Sequence, residues 1–499
     1  MKILSAIQIR QADNFTIKNE PISSLALMER AGRKCFEWIV NNTDTAKKYI
    51  IICGTGNNGG DGLVIAKLLS NNQFNVEVII LSSTKEYSDD FKKNFEAINK
   101  TDIHFKLIGE GEKFLLNEPA IIIDAILGTG LSRPVTGWLG ICIDEINKSG
   151  NDIISIDIPS GLYADQSSDG EIIEANHTLT FQNPKLAFFF QENEKYVGEF
   201  HVLNIGLDKE YIKEINSLKF YLCKKEVKNI LKPRNKFSHK GNHGHSFLIC
   251  GSKGKMGAAV LSARACLRSG TGLLTIHIPN CGNEILQTAV PEAMVELDNS
   301  NDLITKVGDL GNYNGIGIGP GLGKSEETKK MFFDFLKNVN KPVVLDADAL
   351  NMLSEHPEKL KTIPEHSILT PHPKEFERMA GKSINDFERH KTQIRFSIEY
   401  NVIIVLKGAH TCISLTDGKT YFNSSGNPGM AKGGSGDALT GMITAFLSQN
   451  YKPEHATLLG VYLHGVAGDI AAKKKGIYSM ICSDLIESIP KAFINFTLY

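Results

Sequence analysis

Two stretches of this chain carry residue types able to bind or transform a small molecule. The first, IIICGTGNNGGDGLVIAKLL, has G-x-G-x-x-G at Gly54, Gly56 and Gly59. Between an apolar run and a helical pattern, such glycines set backbone N–H groups at a helix start beneath a pyrophosphate. Two details count against an ordinary dehydrogenase. Asp61 is expected in the first helical turn, competing with a phosphate for those N–H groups. The next apolar run ends Ile80-Leu81-Ser82, with no carboxylate for a ribose hydroxyl. Asn57, Asn58 and Asp61 offer amide and carboxylate oxygens instead. Two more apolar runs end in acids: 120–123 leads to Asp124 and a glycine-rich loop from Gly128, and 153–156 leads to Asp157 and Ser160. Ligands of open parallel sheets bind beyond the carboxyl ends of the strands. If these runs are neighbours, Asn58, Asp124, Asp157 and Ser160 share one crevice. Converging carboxylates need a cation or a shared proton. An all-oxygen set suits a hard cation or proton transfer better than zinc.

The second stretch is NPGMAKGGSGDALTGMITAFLSQ. Gly433, Gly434, Ser435 and Gly436 precede Asp437 and an apolar helical run. Glycines there let amides close on an anion, and Asp437 beside them can take a proton from a substrate hydroxyl. GIGIGPGLGKS is not a P-loop, because position 318 is Ile318 where that loop needs glycine. It reads as a strand and a tight turn. TPHPKE and VLKGAHT again place polar groups just past apolar runs. His239, His243 and His245 have no spaced carboxylate or cysteine to complete a metal site, and read as loop histidines.

The elements that must position these groups are legible. Short β-branched runs at 49–53, 76–81, 120–123 and 153–156 alternate with helical segments, the pattern of strands buried on both faces in a parallel α/β sheet. A charged, weakly patterned stretch at 208–236 follows. The alternation then restarts at 246–250, 273–278, 316–318, 343–345 and 402–406, with a helix expected over 257–269. The boundary is expected near residue 225, giving domains 1–222 and 223–499, two α/β units without a shared repeat. The 499 residues are 42% hydrophobic and 22% charged, enough for full cores. A net charge of −1 gives no pull toward nucleic acid or acidic lipid. Nine cysteines without a C-x-x-C pair, no signal-peptide core and no membrane-length apolar run predict a cytoplasmic globular protein.

LMERAG (27–32), GNNGGDG (56–62), DAILGTGL (124–131), RPVTG (133–137), DIPSG (157–161), FQNPK (181–185) and GEFHVLNIGL (198–207) resemble the YjeF N-terminal domain, the NAD(P)H-hydrate epimerase family. The resemblance implies a Rossmann-like three-layer parallel sheet that interconverts the C6 epimers of hydrated NADH and NADPH. It implies a potassium ion at Asn58, Asp124 and Ser160. Substrate would lie along Asn57, Asn58, Gly59, Gly60 and Asp61, and along Gly128, Thr129, Gly130, Leu131, Ser132, Arg133 and Pro134. Asp157 would be the acid/base at the reacting ring.

HKGNHGH, GSKGKMGAA (251–259), ARACLRSGTGL (263–273), GPGLG (319–323), DADALN (346–351), TPHPKE, KGAHT and GGSGD resemble the ribokinase-like YjeF C-terminal family, the ADP- or ATP-dependent NAD(P)H-hydrate dehydratases. The two resemblances together cover nearly the whole chain. This one implies adenine-nucleotide contacts at Lys407, Gly408, Ala409, His410, Thr411 and Gly436, with magnesium accompanying the nucleotide. It implies hydrated-nicotinamide contacts at Ala258, Gly321, His372 and Asp437, with Asp437 catalytic. The family often has Gly where Lys374 stands and Thr where Ser435 stands; Ser435 keeps the hydroxyl. The partners implied are small molecules, namely hydrated NADH and NADPH and an adenine nucleotide, with no nucleic acid or membrane, in a homo-oligomer. One rival remains: a vitamin-type small-molecule kinase fused to a Rossmann-like domain that binds without catalysing.

Overall fold

The computed structural model describes residues 1–82, 86–116 and 118–497. The chain divides into two compact units: Lys2–Ser217 with Asn385–Phe387, and Leu218–Ile384 and Glu388–Tyr499 with Met1. No helix among the described residues is long and apolar enough to cross a membrane.

In the first unit, β1 (Tyr49–Cys53), β2 (Val76–Ser82), β3 (His104–Gly109), β4 (Ile121–Ala125), β5 (Asp152–Ile156), β6 (His177–Phe181) and β7 (Glu199–Leu203) form one sheet in the order β3-β2-β1-β4-β5-β6-β7. Every pairing is parallel. All of β1 is buried, and its side chains alternate between two cores. Tyr49, Ile51 and Cys53 pack on one face of the sheet, Ile50 and Ile52 on the other. The chain runs outward from β1 through β2 to β3, then returns to lay β4 beside β1. That reversal opens a crevice at the carboxyl ends of β1 and β4. Three helices border the crevice: α1 (Ala6–Asn19), α2 (Ser24–Asn42) and α3 (Asn57–Asn71). α3 follows β1 through Gly54, where a Cβ would stand 2.1 Å from the Ile126 carbonyl oxygen; one on Gly59 would stand 1.9 Å from that of Gly54. Here the glycines serve helix–sheet packing. α3 begins at Asn57, so Asp61 is its fifth residue and stands beyond the first turn expected for it.

The second unit holds β8 (Lys219–Leu222), β9 (His245–Ile249), β10 (Leu273–Ile278), β11 (Met294–Leu297), β12 (Gly315–Ile318), β13 (Val343–Leu345), β14 (Ile368–Leu369), β15 (Ile403–Leu406), β16 (Cys412–Ser414) and β17 (Thr420–Asn423). Their order is β11-β10-β9-β12-β13-β14-β15-β16-β17-β8. β9 to β15 pair in parallel, and β16 is antiparallel to both its neighbours. The reversal lies between β9 and β12. The weakly patterned stretch is ordered: it contains helices Lys209–Glu214 and Lys224–Ile230 as well as β8, which pairs with β17. The 222/223 position thus falls at the end of a strand that completes the second sheet.

Candidate functional site

At the β1/β4 crevice a cavity of about 670 Å³ is lined by both loops, by α1 and by Asp157. Asn57, Asn58 and Asp61 face it from α3, and Gly128, Thr129, Gly130, Leu131, Ser132 and Arg133 from the loop after β4. Three expected lining residues do not. Gly59 and Gly60 are buried under helix packing, a Cβ on Gly60 lying 2.7 Å from Met28 Sδ, and Pro134 sits outside the lining set.

Asp124 and Ser160 stand behind the wall, both fully buried. Asp124 accepts hydrogen bonds from the N–H groups of Ile126 (3.2 Å) and Ser160 (2.9 Å) and from the hydroxyls of Ser155 (2.7 Å) and Ser160 (2.5 Å). Burial raises its pKa in spite of them. Its described partners are all neutral, so the negative charge has no local counterpart. Asn58 is buried too, and its Nδ2 has no hydrogen-bond partner among the described residues.

Asp157 is different. It ion-pairs with the wholly buried Lys185, whose Nζ also donates to Thr180 Oγ1 at 2.5 Å. Lys185 belongs to FQNPK, yet no role was expected of it. The signal was available: a lysine beside LAFFF is buried, and a buried ammonium needs a partner. Two more acids share the cavity. Asp13 of α1, also unforeseen, is pushed up to about 6 by burial and by Asp157, against the pull of Lys185. Burial drives Asp61 well above the carboxylate range, with Asp157, Asp13 and Asp90 adding to it. The cavity therefore offers one carboxylate tied to an ammonium and two that readily carry protons.

The second cluster centres on the helix Ser435–Ser448, whose N-cap, Gly434, has φ +92. A left-handed residue there suits glycine. No side chain caps this terminus, and the first helical bond runs from the Ala438 N–H to the Gly434 carbonyl (3.0 Å). The amides of Gly436 and Asp437 just before it can meet an anion. Burial pushes Asp437 up to about 6, with Asp346 and Asp348 adding and Lys407 opposing.

Lys407 Nζ lies 2.9 Å from Asp346 Oδ1 and 3.9 Å from Glu375 Oε2. Burial opposes the charge on Asp346, but Lys407 and Thr440 Oγ1, donating at 2.8 Å, keep its pKa below the ordinary value. A Cβ on Gly436 would stand 3.4 Å from both Asp346 Oδ2 and Lys407 Nζ, so Gly436 adjoins this pair. His372 caps the helix Pro373–Ala380 through Nδ1, which accepts from the Glu375 N–H at 3.2 Å. Burial lowers its pKa, Glu375 opposing and Lys407 assisting. Gly321, at φ +63, packs where a Cβ would lie 3.0 Å from that of Ala258. Gly408 and Ala409 are exposed between β15 and β16; His410 Nδ1 lies 3.0 Å from the Asn423 carbonyl and Thr411 Oγ1 donates to that of Gly408 at 3.0 Å. Asp346 was missed, although an acid ending an apolar run is the same sign that marked Asp124 and Asp157.

Residues 24–187 match the family of the YjeF-related protein N-terminus, and residues 246–491 match the NAD(P)H-hydrate dehydratase family. Over 515 aligned residues, covering 99% of this chain and 97% of the other, identity to the bifunctional NAD(P)H-hydrate repair enzyme of Moorella thermoacetica is 33%. The chain belongs to the bifunctional NAD(P)H-hydrate repair enzyme family. The Escherichia coli member is also 33% identical, over 470 residues that cover 93% of this chain and 88% of that one. Among solved structures, a ribokinase-like superfamily protein of Enterococcus faecalis aligns with 56% of this chain and 98% of its own, at 29% identity and a TM-score of 0.50. Within the repair-enzyme family frame, Asn58, Asp124, Asp157 and Lys185 fall in the first matched region. Asp346, Lys407 and Asp437 fall in the second.

Proposed function

We propose that this chain restores hydrated NADH and NADPH to the working coenzymes. The first unit interconverts the R and S epimers, and the second dehydrates the S epimer at the expense of ADP, giving AMP and phosphate, or of ATP. The full-length likeness to repair enzymes carries this reading, since both units are shared with them. It disfavours a vitamin-type kinase joined to a non-catalytic module.

Epimerisation inverts the hemiaminal carbon C6, so a bond to it must break and re-form. Loss of the hydroxyl proton lets the C6–N bond open to an aldehyde while the nitrogen gains a proton. Attack of that nitrogen on the other face closes the ring again and reverses both proton transfers. Asp157, fixed by Lys185 at the cavity wall, accepts the hydroxyl proton, while Asp13 or Asp61 gives one to the nitrogen. Acids set apart by their surroundings divide such roles naturally. A potassium ion fits the side-chain oxygens of Asn58, Asp124 and Ser160: all are hard donors, all three residues are buried, and Asp124 has only neutral partners among the described residues. It would supply fixed positive charge behind the wall.

In the second unit Asp437 takes the proton of the C6 hydroxyl as that oxygen attacks the terminal phosphoryl group. The Gly436 and Asp437 amides at the helix start would face the charge that develops. Phosphate, a far better leaving group than hydroxide, then departs with the push of the ring nitrogen, and loss of a C5 proton from the resulting iminium to water restores the ring double bond. Asp346 and Glu375, the carboxylates beside Lys407, would hold a nucleotide-borne magnesium, which would neutralise charge on the phosphates.

Supplying hydrated NADH with ADP or ATP and following the return of reduced-nicotinamide absorbance tests this. Recovery of the whole epimer mixture is expected. A stable phosphorylated product instead of NADH would establish the kinase.

A further inference from the structure

At the amino ends of β6 and β7, on the sheet face toward α2, His177, Glu199 and His201 bring their ligand atoms within 4.8 Å of one another. Strand geometry puts them there. Glu199 and His201 are two apart on one strand and share a face. His177 pairs with Glu199 across the parallel ladder, and Leu179 pairs with His201. Trp38 of α2 lies against both imidazoles, its ring centre 5.2 Å from that of His177 and 4.6 Å from that of His201. Both imidazoles are half-buried, and the Glu199 carboxylate is open to solvent.

The two rings turn nitrogens toward each other, with His201 Nε2 3.3 Å from His177 Nδ1. Two nitrogens at about 2.0–2.1 Å from one tetrahedral zinc ion stand roughly 3.3–3.4 Å apart. We propose that His177, Glu199 and His201 form a zinc site. Three protein ligands leave the fourth position to water, on the open side near Glu199. The cavity lies at the other end of these strands. Phe181, which lines it, is four residues along β6 from His177, or about 13 Å. The ion would tie β7, the edge strand, to β6. This site is independent of the repair reading. It was invisible in the sequence because parallel pairing joins residues 22 positions apart.

The test uses the full-length protein, stripped by a chelator and re-equilibrated. Zinc is titrated by calorimetry, and cobalt by visible absorption. One equivalent of zinc, intense four-coordinate cobalt bands and a higher melting temperature in zinc are expected. His177→Ala and His201→Ala should each weaken binding about a hundredfold or more. Glu199→Gln, which preserves shape, should weaken it about tenfold while epimer exchange continues. His239→Ala/His243→Ala should leave the single equivalent intact. Absence of zinc binding, a six-coordinate cobalt spectrum, or affinity unchanged in the histidine variants would overturn the proposal and leave a simple imidazole–imidazole hydrogen bond.

Discussion

Lys185 reaches Asp157 from beyond the end of β6 and closes a buried ion pair at the wall of the first cavity, with Thr180 Oγ1 as its second partner. Asp157 adopts φ +67, a conformation uncommon for a residue with a side chain. Its N–H donates to the Leu179 carbonyl at 2.7 Å, so both strands fix the acid at the mouth of the sheet. The cost of enclosing an ammonium there is offset only while the carboxylate remains.

Removing the carboxylate therefore separates the two activities. Asp157→Ala should slow epimer exchange by about a hundredfold to ten-thousandfold, the range for loss of a positioned acid/base. The S epimer should still be repaired while the R epimer accumulates. Chromatography of the two epimers during turnover checks this; equal disappearance would exclude Asp157.

Removing the cation instead should cost stability. Lys185→Met leaves a largely buried carboxylate unpaired and should destabilise the first unit by about 3–5 kcal/mol. The double variant Asp157→Asn/Lys185→Met should recover much of that loss without recovering epimer exchange. Chemical denaturation followed beside the exchange assay distinguishes packing from chemistry.

Dehydration should depend on an ionised Asp437. Its pKa is raised to about 6, so activity should climb as pH rises through 6 and fall away below it. Asp346 raises that pKa and Lys407 lowers it. Asp346→Asn should accordingly move the acidic limb to lower pH, and Lys407→Met should move it higher. Asp437→Asn should cost about a hundredfold to ten-thousandfold in dehydration and leave epimer exchange untouched. The pH profile of kcat/KM reads all three.

The glycines of the first motif should not be equivalent. Gly54→Ala drives a Cβ into the Ile126 carbonyl and should destabilise the first unit by about 3 kcal/mol or more. Gly56→Ala has open space and φ −91, so the fold should survive with less than about 1 kcal/mol lost. Thermal melts of the two variants, compared with wild type, decide it.

Periodicity and strand-end chemistry carried much of this molecule in the linear sequence. The runs at 49–53, 273–278 and 343–345 became strands at those bounds, because β-branched residues buried on both faces leave few alternatives. Short or exposed strands such as β3, β11 and β16 lack that signature and were missed. Acids after apolar runs marked Asp124 and Asp157, and an acid between a glycine-rich turn and an apolar helical run marked Asp437, since the carboxyl end of a parallel strand or the start of a helix is where polar groups gather. Which acid faces a cavity, which lies behind its wall and which meets a cation were decided only by folding. Lys185 finds Asp157 across 28 residues, Lys407 finds Asp346 across 61, and His177 finds His201 across a ladder. Local sequence sets the conformation of each segment, but strand order sets its neighbours, and the charge on a buried group depends on those neighbours.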